Sequence, residues 1–151
     1  ILAGRDEPPV DPLEYVLSIP YEKTTLPNGA RVVTGPMTGV KSASLIFFYG
    51  VGSRYEPAPI AGVAHFLEHM LFKGTERRPD PMQISQEIEG VGGMLNAATG
   101  REGTSYWCKV PSTHFASSFD VLADILRNSV VDAGELDKER SVVVEEIRSI
   151  Q

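Results

Sequence analysis

Cysteine is almost missing from this chain: Cys108 is the only one among 151 residues, so no disulfide can close within it. It reads as a small core-facing residue on a strand, since nothing in the sequence places it beside His114 for nucleophilic chemistry. Long apolar runs are missing too. The longest, Ala43 to Tyr49 with Ser44 interrupting it, is too short to cross a bilayer as a helix, so no membrane span is expected. Cationic excess is absent: 14 Lys and Arg face 20 Asp and Glu, for a net charge of −6, and no helix carries a basic stripe. That argues against a nucleic-acid partner. The chain begins at Ile1 without a signal-like segment, so a removed leader and a trimmed terminus both stay open, as does the compartment. The hydrophobic content of 42% and charged content of 23% suit one compact domain with its own core.

Histidine is scarce, at three residues, and two of them stand together in His65-Phe66-Leu67-Glu68-His69. At about 100° per residue, His65, Glu68 and His69 fall within an arc of roughly 100° on a helix. Two imidazoles and a carboxylate on one helix face are the inventory of a catalytic zinc site, with two nitrogen ligands and a base for a bound water. The alternative is a surface helix with two solvated histidines and an i, i+3 contact. The flanks Val63, Ala64, Phe66, Leu67, Met70, Leu71 and Phe72 are apolar nearly all round, which predicts a mostly buried helix. Buried histidines need partners, and a metal supplies them.

A catalytic site of this kind needs a third protein ligand. From Gly134 to Gln151 the apolar positions Leu136, Val142, Val143, Ile147 and Ile150 predict an amphipathic helix. Seven residues are nearly two turns, so Glu139 and Glu146 share a face, about 20° apart, while Glu145 points away. A solvated charged face is the ordinary reading of that pattern.

Tyr21 to Leu26 and Ala30 to Thr34 flank Pro27-Asn28-Gly29 and predict a hairpin. Ala43 to Gly50 reads as a buried strand and roughly Ala61 to Lys73 as the histidine-bearing helix, closed by Gly74. A second helix runs from Pro81 to Gly90, capped by Asp80, with Met82, Ile84 and Ile88 apolar. Gly90, Gly92 and Gly93 form a turn and not a phosphate cradle, because Leu95 stands where G-x-G-x-x-G needs its last glycine. Strands Met94 to Thr99 and Thr104 to Val110 follow, then a helix from Thr113 to Val130 with Phe115, Phe119, Leu122, Ile125 and Leu126 as its core face. Residues 1–19 are proline-rich and acidic and read as an extended arm, docking through Leu13, Tyr15 and Leu17. Residues 20–151 form the domain. The order of elements predicts an α+β fold: a two-layer sandwich with helices on one face of a mostly antiparallel sheet.

H-x-x-E-H is the inverted zinc-peptidase motif. Several further stretches accompany it: Leu26-Pro27-Asn28-Gly29, Gly52-Ser53-Arg54-Tyr55-Glu56, Leu71-Phe72-Lys73-Gly74-Thr75, Gly92-Gly93-Met94-Leu95-Asn96-Ala97, Thr104-Ser105-Tyr106, and Glu139-Arg140 through Glu145-Glu146. Together, and in this order, they resemble the pitrilysin/insulinase family of zinc peptidases, on its mitochondrial processing peptidase-like branch. The resemblance implies that His65, His69 and Glu146 hold Zn2+, that Glu68 is the general base, and that Glu139 supports the site from behind. Glu146 lies 77 positions past His69, similar to the family's long spacing. The resemblance also implies that the Asn96-Ala97 strand is an exposed edge to which a peptide or unfolded substrate adds as an extra strand. Phe72, one turn past His69, is a candidate lining of a side-chain pocket, with core burial as its ordinary alternative.

Family members have a longer first domain and a second homologous domain or partner subunit that closes over the substrate. The chain therefore reads as the leading, incomplete portion of a peptidase. It is expected to bind zinc, with weak or no activity as the isolated fragment, and to self-associate through uncovered surface. Two other readings compete. One is a non-catalytic scaffold or core subunit on the same fold. The other is a structural zinc site, for which only Cys108 or His114 is left as a fourth ligand.

Overall fold

The structure, a computed structural model, describes residues 20–149. The expected arm over 1–19, and Ile150 of the last helix, lie outside the described residues. The chain divides into two compact units, one up to Val40 and one from Lys41, each described by itself.

In the first unit, β1 (Glu22–Thr25) and β2 (Arg31–Thr34) pair antiparallel, with Thr25 opposite Arg31. The turn between them closes as its sequence predicts: Gly29 adopts φ 85° and its N–H donates to Leu26 O at 2.9 Å. The Asn28 side chain accepts from Ala30 N at 3.1 Å.

The second unit has two layers. Its sheet holds β3 (Ser42–Tyr49), β4 (Met94–Thr99) and β5 (Thr104–Pro111), antiparallel in the order β3-β5-β4. Among the described residues β5 is central, and β3 and β4 are edges. Among the described residues four α-helices accompany it: α1 (Val63–Leu71), α2 (Pro81–Glu89), α3 (Phe115–Asn128) and α4 (Ala133–Ser149). One sheet face, with Leu45, Phe47, Leu95, Ala97, Tyr106, Cys108 and Val110, packs on Ile84 and Ile88 of α2 and Val121, Leu122 and Ile125 of α3. Cys108 is fully buried there, as expected of a core strand residue. This is the α+β architecture that the sequence predicts.

Four details differ. The strand over Ala43 to Gly50 is not buried throughout: Ile46 and Phe48 of β3 are exposed. Side chains alternate across a strand, and the helices cover one face only. On α3, Phe115 and Phe119 are exposed at the margin of the core, with Phe119 resting on Phe47 at 5.9 Å between ring centroids. Ser118, Val121 and Asp124 take the inward positions beside Leu122 and Ile125. Met82 lies outside while Ile84 and Ile88 are buried, and α2 starts as expected, with the Asp80 carboxylate accepting from Met82 N at 2.8 Å. The histidine helix is not buried nearly all round either: only Ala64 and Met70 are, and Val63 and Leu67 face out. The sequence argument that buried histidines demand a metal therefore does not hold, and the case passes to geometry.

The α2–β4 turn passes so close to β5 that a Cβ on Gly93 would meet Val110 Cγ1 at 2.6 Å and Ile88 O at 2.7 Å. Only glycine lets the strand start there.

A charged cluster joins the segment after α1 to α2 and α3. Arg78, only 7% exposed, donates to Asp124 at 2.6 Å, to Glu87 at 2.8 and 2.9 Å and to Asp120 at 2.8 Å. Arg77 grips Asp120 with both ends of its guanidinium, at 3.0 and 2.8 Å. These bonds, Arg77's first, pull the Asp120 carboxyl down from 3.8 to about 2. A lowered folded-state pKa means that the unfolded chain binds the proton more readily. The contribution of Asp120 is thus complete above its unfolded value, near 3.9, and is lost as pH falls through about 2. Asp120→Asn is expected to flatten the acid side of the stability–pH curve in that window, read by urea unfolding at stepped pH.

Candidate metal centre

Helix α1 is positioned at both ends by contacts outside itself. At its start, Gly62 takes φ 94° and Glu56 supplies the missing acceptor: its carboxylate receives Gly62 N at 2.6 Å and Ala64 N at 2.7 Å. An anion at that end also suits the helix dipole. At the other end the helix closes at Phe72, with Gly74 two residues beyond it at φ 129°, so Gly74 follows the cap instead of forming it. There the Ser129 hydroxyl lies 3.2–3.4 Å from the carbonyls of Met70, Leu71 and Gly74. Thr75 donates to the buried Asp124 at 2.7 Å. The tail of α1 is thereby tied to the tail of α3.

Within this frame His65 and His69 stand one turn apart, and α4 passes alongside α1. Glu146 of α4 places Oε2 3.8 Å from His65 Nε2 and 3.5 Å from His69 Nε2, and the two Nε2 atoms are 3.2 Å apart. Among the described residues, these three offer ligand atoms all within 4.8 Å of one another. Glu145 instead pairs with Arg148 on the exposed side. Seven residues before Glu146, Glu139 is buried and Oε1 lies 2.9 Å from His69 Nδ1. Burial opposes ionisation of Glu139, but the Lys73 ammonium and the His69 ring outweigh it and hold its carboxyl below the usual range.

Glu139, being ionised, can only accept, which assigns the proton of the His69 ring to Nδ1. His69 Nε2 then presents a lone pair towards the Glu146 carboxylate oxygen, 3.5 Å away. Two acceptors facing each other repel, and a cation between them reverses the sign. The spacing fits zinc: ligands about 2.0–2.2 Å from a tetrahedral ion sit about 3.4 Å from one another. Nitrogen and carboxylate donors with an outer carboxylate on the ring N–H are the chemistry zinc favours.

Glu68, half-buried on the same face, accepts from the hydroxyl of Thr99, the last residue of β4. Thr104, opposite Thr99 in the hairpin, donates to Val51 O at 2.8 Å. Burial pushes the Tyr106 phenol up to about 12, with the Glu68 charge adding to it, so Tyr106 stays protonated beside the site. Asn96 is exposed on the β4 edge, and its side chain accepts from Ala97 N at 2.8 Å; Ala97 is half-buried. Phe72 is half-buried and packs on Tyr106, with ring centroids 6.3 Å apart.

Sequence reasoning missed Glu56, Lys73 and Thr99 as parts of this site. Glu56, Lys73 and the neighbouring Thr104 lie inside motifs read from the sequence, and Thr99 closes the strand that begins in one. Lys73 follows His69 at the i, i+4 helical spacing, a signal that could have found it, whereas no helical or strand period links Glu56 or Thr99 to the histidines. No helix among the described residues is long and apolar enough to cross a membrane.

Comparison with known proteins identifies the family of the chain. The family described as Insulinase (Peptidase family M16) matches residues 31–151. The chain is 44% identical over 138 residues to a probable mitochondrial-processing peptidase subunit beta of Arabidopsis thaliana, covering 91% of this chain and 26% of that protein. It is 47% identical over 125 residues to an uncharacterized zinc protease of Mycobacterium leprae, covering 83% of this chain and 28% of the relative. The crystal structure of a protease from Helicobacter pylori superposes with a TM-score of 0.78 at 31% identity, over 86% of this chain and 31% of that one. The chain thus spans roughly a quarter to a third of the length of these proteins. The family match covers four-fifths of the residues, and the chain belongs to the insulinase family of peptidases, peptidase family M16.

Proposed function

We propose that the chain is the zinc-binding part of a peptidase, with His65, His69 and Glu146 as the ligands. The observation that carries this is the convergence of two imidazole nitrogens and a carboxylate oxygen within 4.8 Å, from helices whose ligands are 77 positions apart. Zinc held this way supplies Lewis acidity, which acidifies water and polarises a carbonyl. Glu68 takes the proton of the attacking water and delivers it to the departing amine. The Thr99 hydroxyl holds one Glu68 oxygen, leaving the other for that proton. Glu139 keeps the His69 ring oriented with its free nitrogen towards the site. An extended peptide adds to the β4 edge at Asn96 and Ala97 through main-chain bonds, which accept many sequences. Phe72 contributes apolar wall for a substrate side chain.

Turnover on this reading needs a second homologous domain or subunit to enclose and orient the peptide, so the chain alone binds zinc and cleaves poorly. The name of the Arabidopsis relative, a subunit beta, agrees with such a partner. The non-catalytic scaffold reading is disfavoured because the whole donor set is retained. Metal analysis of the purified chain is expected to find one zinc per molecule. Glu146→Ala is expected to weaken zinc binding more than about a hundredfold, beyond the 10–100-fold typical of outer partners. Unchanged affinity in that variant would remove Glu146 from the ligand set.

A further inference from the structure

Lys73 follows the end of α1, four residues after His69, and the mechanism above does not use it. Its ammonium lies 2.5 Å from Glu139 Oε2, while Glu139 Oε1 lies 2.9 Å from His69 Nδ1. One buried carboxylate is therefore gripped at both oxygens by one segment of chain. The grip has two consequences. A carboxyl group rotates easily about its last bond, so contact with His69 alone leaves Glu139 free to turn away, whereas a cation on the second oxygen stops that rotation. Glu139 also sits nearly two turns before Glu146 on α4, so anchoring it sets where Glu146 meets the histidines.

We propose that Lys73 is a positioning residue of the metal centre, acting through Glu139 to hold His69 and Glu146 in register for one ion. This rests on the zinc-peptidase reading. The alternative is a plain tie between α1 and α4 with no bearing on the metal.

The test is zinc affinity of the full chain, by chelator competition with zinc alone, for the wild type, Lys73→Met, Lys73→Arg, Glu139→Gln and the double variant Lys73→Met/Glu139→Gln. Lys73→Met is expected to bind zinc about tenfold more weakly, the lower end of outer-partner effects. Lys73→Arg is expected to recover most of that loss. The double variant is expected to bind no more weakly than Glu139→Gln alone, because Lys73 has nothing left to act through. If Lys73→Met does not fold, Lys73→Gln, which keeps a donor without the charge, carries the same comparison. Wild-type affinity in the Lys73 variant, or losses that multiply in the double variant, would overturn the proposal. A wild-type chain that binds no zinc would instead sink the peptidase reading itself.

Discussion

Glu68→Gln is expected to cut peptide hydrolysis by the full-length protein between about a hundredfold and ten-thousandfold, the usual worth of a general base. Zinc affinity is expected to stay within about twofold of wild type, because Glu68 is not among the three converging donors. The amide keeps the size of the carboxylate and accepts from the Thr99 hydroxyl through its remaining oxygen, so the geometry survives while the basic oxygen is lost. KM is expected to change little, since the β4 edge that would bind the peptide is untouched. Parallel measurement of rate and zinc content separates this outcome from loss of the metal. Hydrolysis that persists in the zinc-loaded variant would reassign the proton transfer to another group.

Arg78→Met is expected to cost the largest share of stability of any single change discussed, about 3–5 kcal/mol, the range for breaking a buried ion pair from one side. Asp124 is 2% exposed and would keep only the neutral donors Thr75 and Asn128. Glu87 and Asp120 lose a partner in the same step. Burial works against the charge on Asp124, and its carboxyl is nevertheless held below the usual range by Asn128, Thr75 and Arg78. Arg77→Met is the control: it removes the neighbouring guanidinium, which is mostly exposed, and is expected to cost only a small fraction as much. Urea unfolding of both variants at neutral pH reads the difference. Equal losses would mean that burial of the cluster does not set its energetics.

Much of the fold was legible because it depends on short-range rules. Asn28-Gly29 between β-prone runs, Asp80-Pro81 before an apolar helical period, and the strand read over Thr104 to Val110 each led to the element observed. The errors fell where a residue type does not say which side of an element meets a neighbour. Phe115, Phe119, Met82 and Phe48 are exposed although apolar, while Ser118 and Asp124 of α3 are buried although polar. Which face of α3 or β3 is covered depends on how the layers seat against each other, and no single segment carries that.

The same division runs through the candidate site. Chain order alone determined that His65, Glu68 and His69 share a helix face and that Glu139 and Glu146 share another, because the helix period follows from backbone hydrogen bonds three to four residues apart. Only the tertiary structure decided that the second face meets the first, that Glu139 reaches the back of His69, that Lys73 closes on its other oxygen, and that Thr99 holds Glu68. Those distances span 31 to 77 positions of chain, where spacing carries no directional information. They are set by the packing of α1 against β4 and α4, and by the Glu56 and Ser129 contacts that hold α1 at its two ends.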